Sequence, residues 1–171
     1  MNVQKKTLTS VFSQVRELDI FLEKNGFDDT LRILFSYYKS CRRFFSKSTL
    51  IQYTAGEVMG LFEDPVIAVK QSIRLRDELT PKLQIKNLDV GIGIHEDDVA
   101  VCKTSFDSKV LIGRALNIGK RLEQSSYGGD ITISRNLYIK LPAEIRKFFK
   151  MSQAIRLKKW GISINAYVSM S

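Results

Sequence analysis

The sequence VLIGRALNIGKRLEQSS, residues 110–126, contains an amide residue and an arginine four positions apart, Asn117 and Arg121. The pattern predicts a helix over residues 114–126, in which Asn117 and Arg121 are four positions apart and therefore share one face. The small residues Ala115 and Gly119 lie close to this pair in sequence. By spacing alone the pair indicates a capped, salt-bridged surface helix, so a functional interpretation depends on the sequence around it.

Upstream of this helix, strand and helix patterns alternate. Residues 7–16 predict a first strand, and the apolar spacing over 28–45 predicts a helix with Asp28 or Asp29 as its N-cap. Residues 48–62 predict two short strands around a turn at Ala55-Gly56. Asp64 and Pro65 then indicate the cap and first residue of another helix.

The remaining segments complete an α+β pattern. Residues 88–103 predict two strands joined by an acidic turn at 96–98, and 127–134 predict a turn followed by a short strand. Residues 135–142 and 143–149 look helical, and 153–170 predict a closing hairpin. The adjacent strand pairs favour an α+β sandwich with a mainly antiparallel sheet, in a single domain over residues 1–171.

Composition narrows the class of protein. Of the 171 residues, 44% are hydrophobic and 26% charged, which is typical of a globular protein. The sequence contains no apolar run of about 18 residues and no signal-peptide pattern, so neither a membrane partner nor export is expected. Cys41 and Cys102 are far apart in apolar surroundings, which indicates reduced thiols and a cytoplasmic location.

The net charge is +9, which favours anionic partners such as nucleotides, nucleic acid or acidic protein surfaces. Nucleic acid is disfavoured because the sequence has no nucleic-acid-binding motif and its basic residues are spread out.

The order of the motifs resembles the class III nucleotidyl cyclase domain, the homology domain of adenylate and guanylate cyclases. The resemblance extends over residues 7–168, and residues 90–134 are its specific part. The segments that carry it are QYTAGEVMGLFEDPVIAVKQSIRLRDEL, DVGIGIHEDDVAV, VLIGRALNIGKRLEQSSYGGDITIS and LKKWGISINAYV. The resemblance implies a ferredoxin-like βααββαβ core with further C-terminal elements.

The family's chemistry gives the predicted helix a role. These enzymes drive the 3′-hydroxyl of a nucleoside triphosphate onto its α-phosphate, using two metal ions held by two carboxylates. By motif match, Asn117 would orient the ribose and Arg121 would contact the charge that develops at the α-phosphate. Lys158, with Lys159 beside it, matches the lysine that holds the terminal phosphates.

Both metal positions depart from the family pattern. The first metal Asp aligns with Gln14, a neutral side chain and a poor ligand for magnesium. The second aligns with Gly56, and Glu57 beside it could supply a carboxylate if the hairpin register shifted by one residue. Such a shift normally turns a side chain to the other face of the strand.

The base-reading positions also differ, since Gln52 and Val110 occupy the two places where adenylate cyclases carry a lysine and an Asp or Thr. Gln52 could still hydrogen-bond to a base edge, whereas Val110 could not.

Other candidate sites are weaker. The segment HEDD, residues 95–98, could ligate a metal but is more typical of a solvated hairpin tip. His95 is the only histidine, which argues against histidine-based acid–base catalysis and a typical zinc site. YGGD at 127–130 resembles the GGDEF signature of diguanylate cyclases, but Ile131-Thr132 follow instead of an acidic residue and Phe.

The sequence therefore predicts a degenerate cyclase domain with a regulatory, nucleotide-binding or dimerising role in cyclic-nucleotide signalling. Its expected partners are a purine nucleotide and either a second copy or another cyclase-type domain. No cofactor is expected. Two alternatives stay open: an active cyclase with an unusual magnesium or manganese site, and a module that binds an acidic partner.

Overall fold

The structure is a computed structural model and describes residues 3–103, 109–157 and 161–170. The elements follow in the order β1 (Val3–Arg16), α1 (Leu18–Phe44), β2 (Leu50–Thr54), β3 (Glu57–Phe62), α2 (Pro65–Gln84), β4 (Asp89–Lys103), β5 (Lys109–Gly113), α3 (Arg114–Gln124), β6 (Ile131–Ser134), α4 (Arg135–Tyr138), α5 (Ala143–Arg146), β7 (Phe149–Met151), β8 (Ile155–Leu157), β9 (Ile162–Ile164) and β10 (Ala166–Ser169).

One large sheet organises the described residues. Its strands lie in the order β2-β3-β1-β4-β6-β10-β7, with β5 also paired to β4. Strand β6 runs parallel to β4, and the other pairs of described strands are antiparallel. The predicted α+β class with a mainly antiparallel sheet is therefore confirmed. None of the described helices is both long enough and apolar enough to cross a lipid bilayer.

Strand β4 corrects one prediction. The acidic residues 96–98 do not form a turn, because β4 continues through them to Lys103. Strand β1 is almost as long and starts at Val3, so that 96–98 pair with 7–9 of β1. Asp98 accepts a hydrogen bond from Thr7 Oγ1 at 3.0 Å and pairs with Lys5 at 2.9 Å. A paired neighbour thus keeps an acidic segment in the sheet.

Helix α1 corrects a second prediction, since it begins at Leu18 and not at Asp28 or Asp29. The backbone is interrupted at Gly26, whose φ of 80° is readily adopted only by glycine, and this kink joins a short first segment to the predicted helix. The first segment forms because Phe21 is buried in the core.

The remaining element predictions are confirmed only in part, because the helices predicted over 135–142 and 143–149 shorten to α4 and α5, and Phe149 begins β7. Asp64 caps α2, with its carboxylate accepting from the backbone N–H of Val66 at 2.8 Å and Ile67 at 3.1 Å. Helices α4 and α5 are single turns. Strands β8 and β9 form the predicted hairpin, and β10 returns to the large sheet beside β6.

The two faces of the sheet have separate cores, and the alternation of β1 assigns its side chains to them. Val11 and Val15 lie in the larger core with residues of α1 and α2. Leu8 and Phe12 lie in a second core with Ala115 of α3. Because alternate residues share a face, Gln14 projects to the α3 side of the sheet.

Candidate functional site

Helix α3 lies directly on strands β1 and β4, and small residues make this close approach possible. A Cβ atom on Gly119 would lie 2.4 Å from Ser10 Oγ, and one on Gly93 would lie 2.0 Å from the backbone nitrogen of Glu123. Ala115 is fully buried, and its carbonyl accepts a hydrogen bond from Ser10 Oγ at 2.7 Å. The small residues near the Asn-Arg pair therefore seat the helix on the sheet.

Asn117 and Arg121 lie on the outer side of α3, and both are exposed. Asn117 Nδ2 donates to the carbonyl of Gly113 at 3.4 Å, and Arg121 donates to Gln124 Oε1 at 2.7 Å. These contacts are local to the helix, so the amide and guanidinium are presented side by side to the surroundings. Their ribose and phosphate roles remain predictions.

The inner side of α3 brings two residues that the sequence analysis names, Gln14 and Glu57, together with two charged residues that it misses, Lys120 and Glu123. Gln14 pairs in register with Glu57 of the neighbouring strand β3, so both side chains project toward α3. Lys120 reaches into this space: its Nζ lies 3.1 Å from Gln14 Oε1 and 2.7 Å from Glu123 Oε2, and it also contacts Glu57 Oε2. Gln14, Glu57, Lys120 and Glu123 are called the ion cluster below.

Arg16 extends the ion cluster along β1. Its guanidinium donates to Glu123 Oε1 at 2.8 Å and to the carbonyl of Ser126 at 2.9 Å. It also lies 4.9 Å from the ring centroid of Tyr127. Glu123, whose side chain is 0% exposed, thus receives one cation on each carboxylate oxygen.

The cluster is electrostatically self-contained. Burial lowers the pKa of Lys120, but hydrogen bonds and charge from Glu123 and Glu57 outweigh it, so the net pKa lies above its usual value. The ammonium is therefore charged at neutral pH. Formal charges of Lys120 and Arg16 balance those of Glu57 and Glu123.

The hairpin between β2 and β3 explains why Glu57, not Gly56, joins the cluster. Gly56 is a turn residue with a φ of 74°, and a Cβ there would lie 3.0 Å from Leu18 Cδ2. Tyr38 fixes the turn, donating to the carbonyl of Thr54 at 2.7 Å and accepting from the N–H of Gly56 at 3.2 Å. Glu57 is then the first strand residue and shares the face of Gln14.

The residues of the ion cluster do not fit a divalent metal ion. Gln14 is neutral, and the two carboxylates that face it are already paired with cations. Within the described residues, no group of three or more His, Cys, Asp or Glu side chains is arranged to hold a metal. The segment 95–98 is not such a group either.

The other predicted site residues are dispersed or not described. Gln52 and Val110 are both exposed, on strands that β3, β1 and β4 separate in the sheet. Their base-reading role remains a prediction. Lys158 and Lys159 lie outside the described residues.

A signal for the missed residues was present in α3. The buried residues Ala115, Ile118, Gly119 and Leu122 define its inner face, and Glu123 follows Gly119 by four positions. A carboxylate on an inner helical face needs a cationic partner, and Lys120 lies three residues before it. The contacts of Lys120 with Gln14 and Glu57 depend on the tertiary fold and have no sequence signal.

Comparison with solved structures identifies this arrangement of elements. The adenylyl cyclase CyaB from P. aeruginosa superposes with a TM-score of 0.85 at 22% sequence identity, over 100% of this chain and 97% of that chain. The guanylyl cyclase Cya2 gives 0.84 at 17% identity, over 99% and 94%. The adenylate/guanylate cyclase/hydrolase from Silicibacter pomeroyi gives 0.84 at 15% identity, over 99% of both chains.

No family model matches the sequence, and no curated protein matches it. The structural likeness nevertheless extends over the entire chain. The chain therefore has the fold of the class III adenylyl and guanylyl cyclase domains.

Proposed function

We propose that the chain is a regulatory cyclase-type module of the cytoplasm with no independent cyclase activity. It pairs with another cyclase-type domain, or with a second copy of itself, and contributes to a purine-nucleotide site in cyclic-nucleotide signalling. The fold supports the assignment to cyclase-type domains. The different side chains on the two sides of α3 support a chain that supplies only part of a nucleotide site.

The observation that carries this proposal is the contrast between those two sides. Asn117 and Arg121 are exposed on the outer side, where a second domain can contact them. On the inner side, the expected metal positions hold Gln14 and the turn residue Gly56, and the neighbouring Glu57 is already paired with Lys120. The chain thus keeps the amide and guanidinium half of a cyclase site and lacks the metal-binding half.

When the partner is a cyclase-type domain that has both metal carboxylates, Arg121 would contact phosphate oxygens of a nucleotide whose metal ions that domain holds. A guanidinium suits this position because it stays charged and can form two parallel hydrogen bonds to one phosphate. Efficient turnover by the chain alone is not expected, since losing one member of a cooperative catalytic site can cost as much as losing all of them.

The test is calorimetric titration of the purified chain with ATP and with GTP, with and without Mn²⁺, together with an assay for cyclic product. We expect no cyclic product in any condition, and any nucleotide affinity should not depend on Mn²⁺. Arg121→Ala should weaken that affinity, whereas Arg32→Ala, which removes an exposed arginine of α1, should not. Cyclic product formed by the chain alone would refute the proposal.

One observation favours the alternative of an active cyclase, because Glu57 shares the face of Gln14 and could ligate a metal if Lys120 moved away. Under that alternative the chain makes cyclic product and Glu57→Gln abolishes it. Under the third interpretation, a module for acidic partners, Lys158→Ala with Lys159→Ala changes only salt-dependent binding to a polyanion.

A further inference from the structure

The ion cluster disagrees with the metal chemistry that the cyclase fold implies, and one residue accounts for the disagreement. We propose that the ammonium of Lys120 is the resident cation of the ion cluster and takes the place of a divalent ion there. Removing Lys120 should therefore create a divalent-cation site that the natural chain does not have. The inference concerns the cluster itself and holds whether or not the chain pairs with a second domain.

The first argument is the hydrogen-bonding capacity of the ammonium group. A lysine ammonium has three N–H donors, and Lys120 contacts three oxygen acceptors. These acceptors are the amide oxygen of Gln14 and one carboxylate oxygen each of Glu57 and Glu123. All three donors are used within the protein, so the ammonium completes the coordination of these oxygens in the way a metal ion would.

The second argument is charge. Glu57 and Glu123 bring two negative charges to the cluster, which are balanced by Lys120 within it and by Arg16 beside it. A divalent ion would enter a neutral, partly buried site and face two cations. Mg²⁺ and Mn²⁺ prefer carboxylate oxygens that carry uncompensated negative charge, so the lysine must leave before the ion can bind.

The third argument is that the acceptors converge on one point. Gln14 and Glu57 are cross-strand neighbours on one face, and Glu123 faces them from the helix above. Replacing Lys120 with alanine would leave an amide oxygen and two carboxylates around the volume of the former ammonium. Magnesium-type sites commonly use one or two carboxylates and complete their coordination with water.

The experiment titrates the full chain with Mn²⁺ and follows the paramagnetic resonance signal of the aqueous ion, which is lost on binding. The variants are Lys120→Ala, Lys120→Met, and the double variant Lys120→Ala with Glu57→Gln. Lys140→Ala is the matched control, because Lys140 also pairs with a largely buried carboxylate, that of Glu96, but lies outside the ion cluster.

We expect no saturable site in the natural chain or in Lys140→Ala. Lys120→Ala should bind one Mn²⁺ per chain with a dissociation constant on the order of 10⁻⁴ to 10⁻³ M, and the double variant should lose at least tenfold in affinity. The inference is overturned if the natural chain binds one Mn²⁺ in a Glu57-dependent manner. It is equally overturned if Lys120→Ala binds no more Mn²⁺ than Lys140→Ala.

The same experiment also tests the inference if the Lys120 variants do not fold in buffer. Lys120→Met keeps an unbranched side chain that is one atom shorter, and it removes the charge and the donors. If both variants unfold in buffer, recovery of the folded state on adding Mn²⁺, but not Na⁺ at matched ionic strength, supports the inference. Variants that stay unfolded in excess Mn²⁺ count against it, because the ion then cannot replace the ammonium.

Discussion

At the scale of single residues, His95 is buried in the sheet, whereas the sequence predicts a solvated hairpin tip at this position. Its side chain is 2% exposed, and Nδ1 lies 2.7 Å from Ser134 Oγ. Nε2 lies 3.6 Å from Asp97 Oδ2 and has no hydrogen-bond partner among the described residues. Burial lowers the pKa of His95, and the nearby Asp97 carboxylate opposes this only in part.

This lowered pKa predicts a pH-dependent stability that one substitution removes. Below the unfolded-state pKa of about 6.5, the unfolded chain binds a proton that the folded chain excludes. Unfolding free energy should therefore fall as pH drops from 6.5 to the folded pKa of His95, by at most about 1.4 kcal/mol per pH unit.

Urea unfolding of the natural chain and of His95→Gln between pH 5 and 8 checks this prediction. Because His95 is the only histidine, the difference between the two pH profiles isolates its contribution. Burial also raises the pKa of Glu123 and Asp130, whose slopes have the opposite sign and are common to both proteins. Parallel profiles would contradict the prediction.

A second residue-scale prediction concerns Tyr38, whose hydroxyl fixes the turn that presents Glu57. Tyr38→Phe removes the hydrogen bonds to Thr54 and Gly56. We expect a loss of about 0.5–1.5 kcal/mol in unfolding free energy per hydrogen bond, measured by chemical denaturation. Hydrogen exchange at the turn should also rise, and Tyr167→Phe serves as a control away from the hairpin. Unchanged exchange at 54–57 would show that the hydroxyl does not fix the turn.

At the scale of elements, the contact of α3 with β4 sets the geometry of both sides of the helix. It depends on Gly93, where a Cβ would lie 2.0 Å from Glu123 N and 2.4 Å from Gly119 O. Both of these are backbone atoms of α3, so a rotamer change cannot relieve the overlap.

Gly93→Ala should therefore shift α3 and destabilise the fold by about 1–3 kcal/mol or more. Gly60→Ala is the control, because a Cβ there meets only ring atoms of Phe45 and Phe62, both at 3.0 Å. Thermal unfolding of the two variants checks the difference. Equal losses would show that the α3 contact is not tighter than an ordinary core contact.

Sequence periodicity predicts elements well where the local pattern and the tertiary partner agree. The cap at Asp64 and the α3 helix are set by nearby residues, and both are confirmed. The single strand over Asp89–Lys103 was missed because Glu96-Asp97-Asp98 looks like a turn by composition. Only the long partner strand β1, which supplies Lys5 and Thr7 opposite these acids, makes strand continuation favourable.

At the scale of the whole molecule, the fold was predictable because its motifs are ordered along the chain, whereas the ion cluster was not. In sequence, Glu57 lies 43 positions after Gln14, and Lys120 lies 63 positions after Glu57 and 106 after Gln14. Their meeting depends on strand register and on how deeply α3 sits on the sheet. A register shift of one residue would turn Glu57 away from Gln14.

The proposed division of the site between two domains predicts complementation. A cyclase-type domain that has both metal carboxylates, but whose own Asn-Arg pair is replaced by alanine, should make no cyclic product alone. Mixed with this chain it should regain activity, because Asn117 and Arg121 would supply the missing amide and guanidinium across the interface. Under the proposed function Arg121 would stabilise charge in the transition state, so Arg121→Ala should lower the regained rate by about 10²–10³-fold.

The measurement is cyclic-product formation as a function of the mixing ratio, with dimer formation followed by sedimentation in the same samples. Arg121→Ala should leave the sedimentation unchanged. Arg32→Ala should change neither the sedimentation nor the rate, because Arg32 is an exposed residue of α1 that pairs with the exposed Asp29. Heterodimers that form without regained activity would contradict the catalytic half of the proposal and retain the pairing. Absence of any dimer, with any cyclase-type domain or with a second copy, would remove the physical basis for assigning Asn117 and Arg121 to a shared site.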